Sequence, residues 1–141
     1  MIRVERGEWR VKILEYDERH YALARLLCHF VTSGKYETTY GECSEILSKQ
    51  LNRTISAYYH MGKLLLPVAK MCRDLELPLI TAIVRHQSDG EVGKNFYPMA
   101  RALCPEYKGM SDVAILNTEM NRIISCNEWN KLDSYLKKYY K

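Results

Sequence analysis

Apolar and polar residues change period along this chain, and the changes mark its elements. Ile2 and Val4 alternate with Arg3 and Glu5, and Trp9, Val11 and Ile13 alternate with Arg10 and Lys12. A period of two predicts half-buried strands, with Arg6-Gly7-Glu8 as the turn between them. Asp17 reads as an N-cap. A helix follows it, with Tyr21, Ala24, Leu27, His29, Phe30 and Val31 on or near one face, and Ser33-Gly34 ends it. Thr39-Tyr40-Gly41-Glu42 has the T-x-x-E form of a capping box and opens a second helix. Ile46 and Leu47 are its core positions, and Leu51-Asn52 closes it. A third helix is expected from about Thr54, carrying Ile55, Tyr58, Tyr59 and Met61, with a break or kink near Gly62 and Pro67 because proline lacks the N–H that an interior turn uses. A further helical piece then runs through Val68, Met71, Cys72 and Leu75.

Beyond Leu77-Pro78 the pattern turns β-rich. Leu79 to Val84 reads as a short strand, Ser88-Asp89-Gly90 as a tight turn, and Val92 to Phe96 as the returning strand of a hairpin. After Pro98 and Pro105, two helical stretches are expected at about 111–126 and 128–140. The first has Val113, Leu116, Met120, Ile123 and Ile124 at helical spacing. The last has Trp129, Leu132, Tyr135, Leu136 and Tyr139 in a stripe that docks either on its own domain or on a second copy, which would make a homodimer through the C-terminal helix. No internal repeat, linker or low-complexity segment interrupts the pattern, so residues 1–141 are expected to form one domain, mainly α with some β.

Composition narrows the function classes. Hydrophobic residues are 47% and charged residues 27%, which is globular rather than disordered. No apolar run approaches the ~18 residues that a membrane span needs. Residues Met1 to Arg10 lack the apolar core of a signal peptide, so a cytoplasmic location is expected. The five cysteines, Cys28, Cys43, Cys72, Cys104 and Cys126, are odd in number and widely spaced. They read as reduced core thiols rather than a disulfide framework. His20, His29, His60 and His86 form no pair at zinc spacing, and no cofactor or metal is expected. A net charge of +4 permits nucleic-acid contact without demanding it. Eleven tyrosines against two phenylalanines suit a surface that contacts bases or a protein partner.

The middle third reads helix, turn, helix and then hairpin, the parts of a winged helix-turn-helix. Four motifs occur there in order: Thr39-Tyr40-Gly41-Glu42, Tyr59-His60-Met61-Gly62-Lys63-Leu64-Leu65, Leu77-Pro78-Leu79-Ile80 and Ser88-Asp89-Gly90-Glu91-Val92-Gly93. Their series resembles the DNA-binding domain of O6-alkylguanine-DNA alkyltransferases and of the alkyltransferase-like proteins, over about residues 36–96. The resemblance implies a winged-helix-like core at 36–96, with C-terminal helices at 111–140 beyond it. It also implies that Tyr40 packs against the phosphate of a target nucleotide.

The departures from that family bear on the chemistry. Ile83 stands at the family's nucleophilic cysteine (Ala82 with a one-residue shift), and Val84 stands at its histidine. Alkyl transfer needs a thiolate activated by a neighbouring base, so that reaction is excluded. Tyr59 falls on the family's intercalating arginine, and an aromatic wedge can also part bases. No P-loop, G-x-S-x-G or H-E-x-x-H motif is present either, so no catalytic residues are expected. The candidate nucleic-acid-binding residues are Tyr40, Arg53, Tyr58, Tyr59, Lys63, Arg85, His86 and Lys94. Arg53 to Lys63 lie along the expected third helix and its start, and the last three at the end of the strand and in the wing. The expected partner is double-stranded DNA or a DNA-processing protein. The alternative is a non-enzymatic protein–protein module, such as a phage-type inhibitor of a host defence nuclease.

Overall fold

The computed structural model describes residues 16–57 and 60–139. The expected N-terminal strands, and the candidate residues Tyr58 and Tyr59, lie outside these. The described chain is mainly helical, with six α-helices and one small parallel sheet.

Helix α1 (Glu18–Thr32) is the centre of the molecule. Asp17 caps it as expected: its carboxylate accepts from the Arg19 N–H, and His20 completes a capping box by accepting from the Asp17 N–H at 3.0 Å. Gly34, at φ +84°, supplies the left-handed residue that ends it. Its burial is broader than one face, because α1 is flanked by three other helices. Ala22, Leu23, Ala24, Leu26, Leu27, Cys28, Phe30 and Val31 are all buried, while His29 stays exposed.

Strand β1 (Thr38–Thr39) leads into α2 (Tyr40–Leu51). Thr39 accepts from the Glu42 N–H, but only this half of the predicted capping box forms. The Glu42 carboxylate instead accepts from the Thr38 hydroxyl at 2.5 Å and pairs with Lys35 at 3.1 Å, contacts that hold its carboxyl below the usual range. Asn52, in the left-handed region at φ 54°, closes α2.

Helix α3 (Met61–Asp74) corrects two expectations. It starts at Met61, not Thr54: Ile55 is buried outside the helix, and His60 Nδ1 accepts the Ser56 N–H at 2.7 Å, folding the segment into a turn. Nor does it break at Gly62 or Pro67. Proline in mid-helix costs one backbone hydrogen bond, to the carbonyl four residues earlier. That carbonyl belongs to Lys63, an exposed residue, while Met61, Leu64, Leu65, Val68, Ala69, Met71 and Cys72 bury the opposite face. Packing against α1 outweighs the lost bond. Glu76, at φ 61°, turns the chain out of α3.

The expected hairpin does not form. Residues Ile80–Ile83 make a 3₁₀ turn and lead into β2 (Val84–Arg85), which pairs in parallel with β1. Residues 92–96 do not return as a strand: Phe96 already begins α4 (Phe96–Leu103), with Pro98 in its first turn, where a missing N–H is harmless. A second 3₁₀ turn (Pro105–Tyr107) leads to α5 (Asp112–Ser125), capped by Ser111, and then to α6 (Asn130–Tyr139).

Both C-terminal helices stand where the pattern places them, but α5 is rotated relative to its apolar stripe. Ile115, Glu119 and Ile123 face inward, whereas Val113 and Ile124 remain 69% and 52% exposed. The α6 stripe docks on the chain's own core. Trp129, Leu132 and Leu136 are buried, and α6 packs on α1.

Candidate functional site

The parallel register builds the site. Thr38 lies opposite Val84 and Thr39 opposite Arg85, so the next residues in register are Tyr40 and His86. Their rings stack with centroids 4.8 Å apart and planes within 5°. Tyr40 is also the first residue of α2, so the β1–β2 pair ties that helix end to the loop that follows β2. The Gly93 backbone lies against the Tyr40 oxygen. A Cβ at Gly93 would overlap that hydroxyl, so this approach requires glycine. Burial raises the pKa of the Tyr40 phenol, and the Gly93 contact only partly opposes this. The hydroxyl therefore keeps its proton at neutral pH and remains a donor.

The loop after β2 is a closed turn. The His86 N–H donates to the Glu91 carbonyl and the Gly90 N–H to the His86 carbonyl, both at 2.8 Å, with Gly90 at φ +73°. Asp89 accepts from the Glu91 N–H at 2.9 Å. Arg85 pins this turn from beneath: its Nε donates to the Ala82 carbonyl at 2.8 Å and its Nη1 to the Gly90 carbonyl at 3.0 Å.

Between this loop, the start of α3 and the start of α4 lies a cavity of about 990 Å³, at the upper end of the range for small-molecule pockets. Leu65, Leu66, Val84, Val92, Phe96 and Met99 form its apolar walls, with Thr81 beside them. Tyr40, Lys63, His86, Asp89, Lys94 and Asn95 line it as well. All of these except half-buried Tyr40 are exposed, which places the polar lining at the mouth. Gly62 and Lys63 sit in the first turn of α3, which has no acidic residue; its Met61, Lys63 and Leu64 N–H groups donate to the Ser56 and His60 carbonyls.

Four of the eight candidate residues thus come together at one cavity: Tyr40, Lys63, His86 and Lys94. Arg85 is adjacent, but its guanidinium is occupied by backbone carbonyls. Arg53 stands apart and pairs with Glu18 of α1 at 3.1 Å, an exposed contact of little energetic weight. Three further contributors were not among the candidates: Gly93, Thr81 and Glu119. Gly93 closes the Ser88-to-Gly93 motif. Glu119 is a lone acid at i+4 from Ile115 and i−4 from Ile123. Thr81 carried no local signal.

Glu119 anchors the start of the 3₁₀ turn that carries Thr81. It is fully buried and accepts from the Leu79 N–H at 2.7 Å, from the Tyr107 hydroxyl and from Arg122 Nη1 at 2.9 Å. Burial and the Glu119 carboxylate both push the Tyr107 phenol upward. Burial alone would lower Arg122, but the Glu119 charge reverses that shift.

Nucleophilic chemistry has poor material here. Burial pushes Cys43 up to about 11 and Cys72 up to about 12, so both thiols are protonated and shielded. Among the described residues, no three His, Cys, Asp or Glu side chains are grouped so as to hold a metal ion. No helix among them is long and apolar enough to cross a membrane. Comparison of the chain with protein-family models, with curated proteins and with solved structures gave no match.

Proposed function

We propose that this protein binds duplex DNA without catalysing a reaction on it, and that the cavity receives one base turned out of the stack. The observation that carries this reading is the cavity itself. It combines apolar walls, a stacked aromatic pair at the mouth and lysines from two separate segments. A turned-out base is flat and largely apolar, while the phosphates on either side of it are anionic. Lys63 and Lys94 supply the cations. In this reading α2 and α3 serve as the helix-turn-helix, and the 86–93 turn takes the place of a wing. The absence of a nucleophile at positions 82 to 84 supports retention of the base rather than chemistry upon it.

Fluorescence anisotropy with a labelled duplex, at low and at physiological salt, tests the proposal. Micromolar binding that falls steeply with salt is expected. Lys63→Glu with Lys94→Glu should weaken it and flatten the salt dependence by about two phosphate contacts. No binding at low salt, where electrostatic attraction is strongest, refutes the reading.

A second reading has its own observation. Val113, Leu116, Met120 and Ile124 form an apolar stripe along α5, exposed at both ends. Such a stripe suits a protein partner. If duplex DNA is not bound, Val113→Lys with Ile124→Lys in a pull-down is the corresponding test, and loss of a captured partner is the result expected.

A further inference from the structure

Among the described residues, one buried side-chain polar atom has no hydrogen-bond partner: the hydroxyl of Thr81. Thr81 is 3% exposed, and it lines the cavity. Buried hydroxyls are nearly always paired, because an unmade hydrogen bond costs more than a made one gains. Valine has nearly the same shape as threonine and would leave nothing unpaired, so packing alone does not call for a hydroxyl here.

Thr81 is held where it stands. The 3₁₀ turn places residues three apart on one face, so Thr81 and Val84 both line the cavity while Ala82 and Ile83 are fully buried. The turn is anchored through the Leu79 N–H to Glu119 and through the Arg85 guanidinium to the Ala82 carbonyl. With its backbone fixed at both ends, the side chain has little freedom to find a partner within the protein.

The other polar side chains lining the cavity are exposed or, for Tyr40, half-buried. Among the described residues, Thr81 is therefore the one buried polar side chain of the lining. Among the described residues, the lining offers hydrogen-bonding groups at the mouth, apolar walls beyond them and Thr81 as its buried polar residue. Among the described residues, no buried charge lines the cavity to balance an ionised guest. The site fits a neutral planar ring with a hydrogen-bonding atom on its leading edge.

Building on the DNA reading above, we propose that Thr81 is the specificity-determining contact of this cavity. Its hydroxyl hydrogen-bonds the edge of the accommodated base, so the cavity distinguishes bases rather than accepting all four alike. Stacking and apolar contact are sequence-tolerant, whereas one directed hydrogen bond to a buried group is not.

The probes are four labelled duplexes, each with a single A, G, C or T opposite an abasic site, where turning the base out costs least. Wild-type protein should bind the best of the four about five- to tenfold more tightly than the poorest, the value of one hydrogen bond. Thr81→Val should reduce that spread to about twofold or less, with affinity for the poorest duplex kept. Thr81→Ser, which retains the hydroxyl, should keep the order of preference. Thermal unfolding of Thr81→Val should begin no earlier than that of wild type, since the variant removes an unpaired group. Equal affinity of wild type for all four duplexes, or an undiminished spread in Thr81→Val, overturns the assignment while leaving DNA binding intact. Failure of the wild type to bind any of the four overturns both. If Thr81→Val does not fold, loss of preference in Thr81→Ser would count equally against the assignment.

Discussion

Replacing Glu119 by leucine is the most informative test of how the cavity is held together. In the folded protein this carboxylate collects three donors from three places in the chain: the Leu79 N–H, the Tyr107 hydroxyl and the Arg122 guanidinium. Leucine fills the space but accepts nothing. Leu79 and Tyr107 are 1% and 3% exposed, so their donors cannot turn to water. Each such orphan costs about 1–3 kcal/mol, which gives roughly 2–6 kcal/mol for the pair, and about 3 kcal/mol is the expected loss. The Arg122 side chain is 42% exposed, so it rehydrates and adds little. Glu119→Gln keeps a carbonyl for the Leu79 N–H and lets the Tyr107 hydroxyl adjust, so about 1 kcal/mol is expected. Urea denaturation followed by circular dichroism reads both values from the midpoint at constant slope. A thermal melt should move by roughly 2–4 °C per kcal/mol, or about 6–12 °C for the leucine variant. Hydrogen exchange at the Leu79 amide should accelerate in Glu119→Leu and much less in Glu119→Gln. Two results would refute the reasoning. One is a leucine variant within about 1 kcal/mol of wild type, because then the buried donors are satisfied elsewhere. The other is equal cost for both variants, because then charge rather than hydrogen-bond geometry decides.

Three more outcomes follow from particular contacts. Gly93→Ala drives a methyl group into the Tyr40 hydroxyl, so the Tyr40–His86 stack should open; duplex affinity should fall while the circular dichroism spectrum is kept, and unchanged binding would detach that stack from function. Burial alone would raise the Asp17 carboxyl, but Arg19 holds it at about 2 against an ordinary 3.8. A depressed carboxyl stabilises the fold above its unfolded value, and that contribution disappears as pH falls from 3.8 towards 2. Melting temperatures across that range should therefore fall less in Asp17→Asn than in wild type. Burial pushes Cys28 and Cys104 up to about 11, beside the equally shielded Cys43 and Cys72, so a thiol reagent should label the partly exposed Cys126 first and all five cysteines only after denaturation. Prompt labelling of a second thiol would mean that the core opens readily.

Much of the helical framework was legible in the residues alone, for a local reason. Asp17 and Thr39 announce helix starts because a capping side chain needs only the next three residues to form its hydrogen bonds. Gly34 and Asn52 announce helix ends because each tolerates a left-handed backbone by itself. The stripe on α6 found the core because its apolar residues outnumber any competing face.

Other features depend on partners far away in sequence. Residues 79–84 carry β-rich composition, and the nearest turn suggests a hairpin. Only the assembled molecule offers the Thr38–Thr39 edge, which takes Val84–Arg85 in parallel and leaves residues 80–83 as a 3₁₀ turn. That one pairing sets Tyr40 against His86 and so creates the mouth of the cavity. On α5 the apolar spacing favours Val113, Leu116, Met120, Ile123 and Ile124, yet of these only Ile123 is buried, and Glu119 faces inward because the Leu79 N–H and the Tyr107 hydroxyl wait there for an acceptor. Hydrophobic periodicity cannot register a hydrogen-bond demand raised 40 residues earlier in the chain. The sequence by itself determined where most helices begin and end. Tertiary structure decided which faces meet and hence where the site lies, because two buried donors left unpaired, at about 2–6 kcal/mol together, outweigh the roughly 1.5–3 kcal/mol that one apolar side chain gains by turning inward.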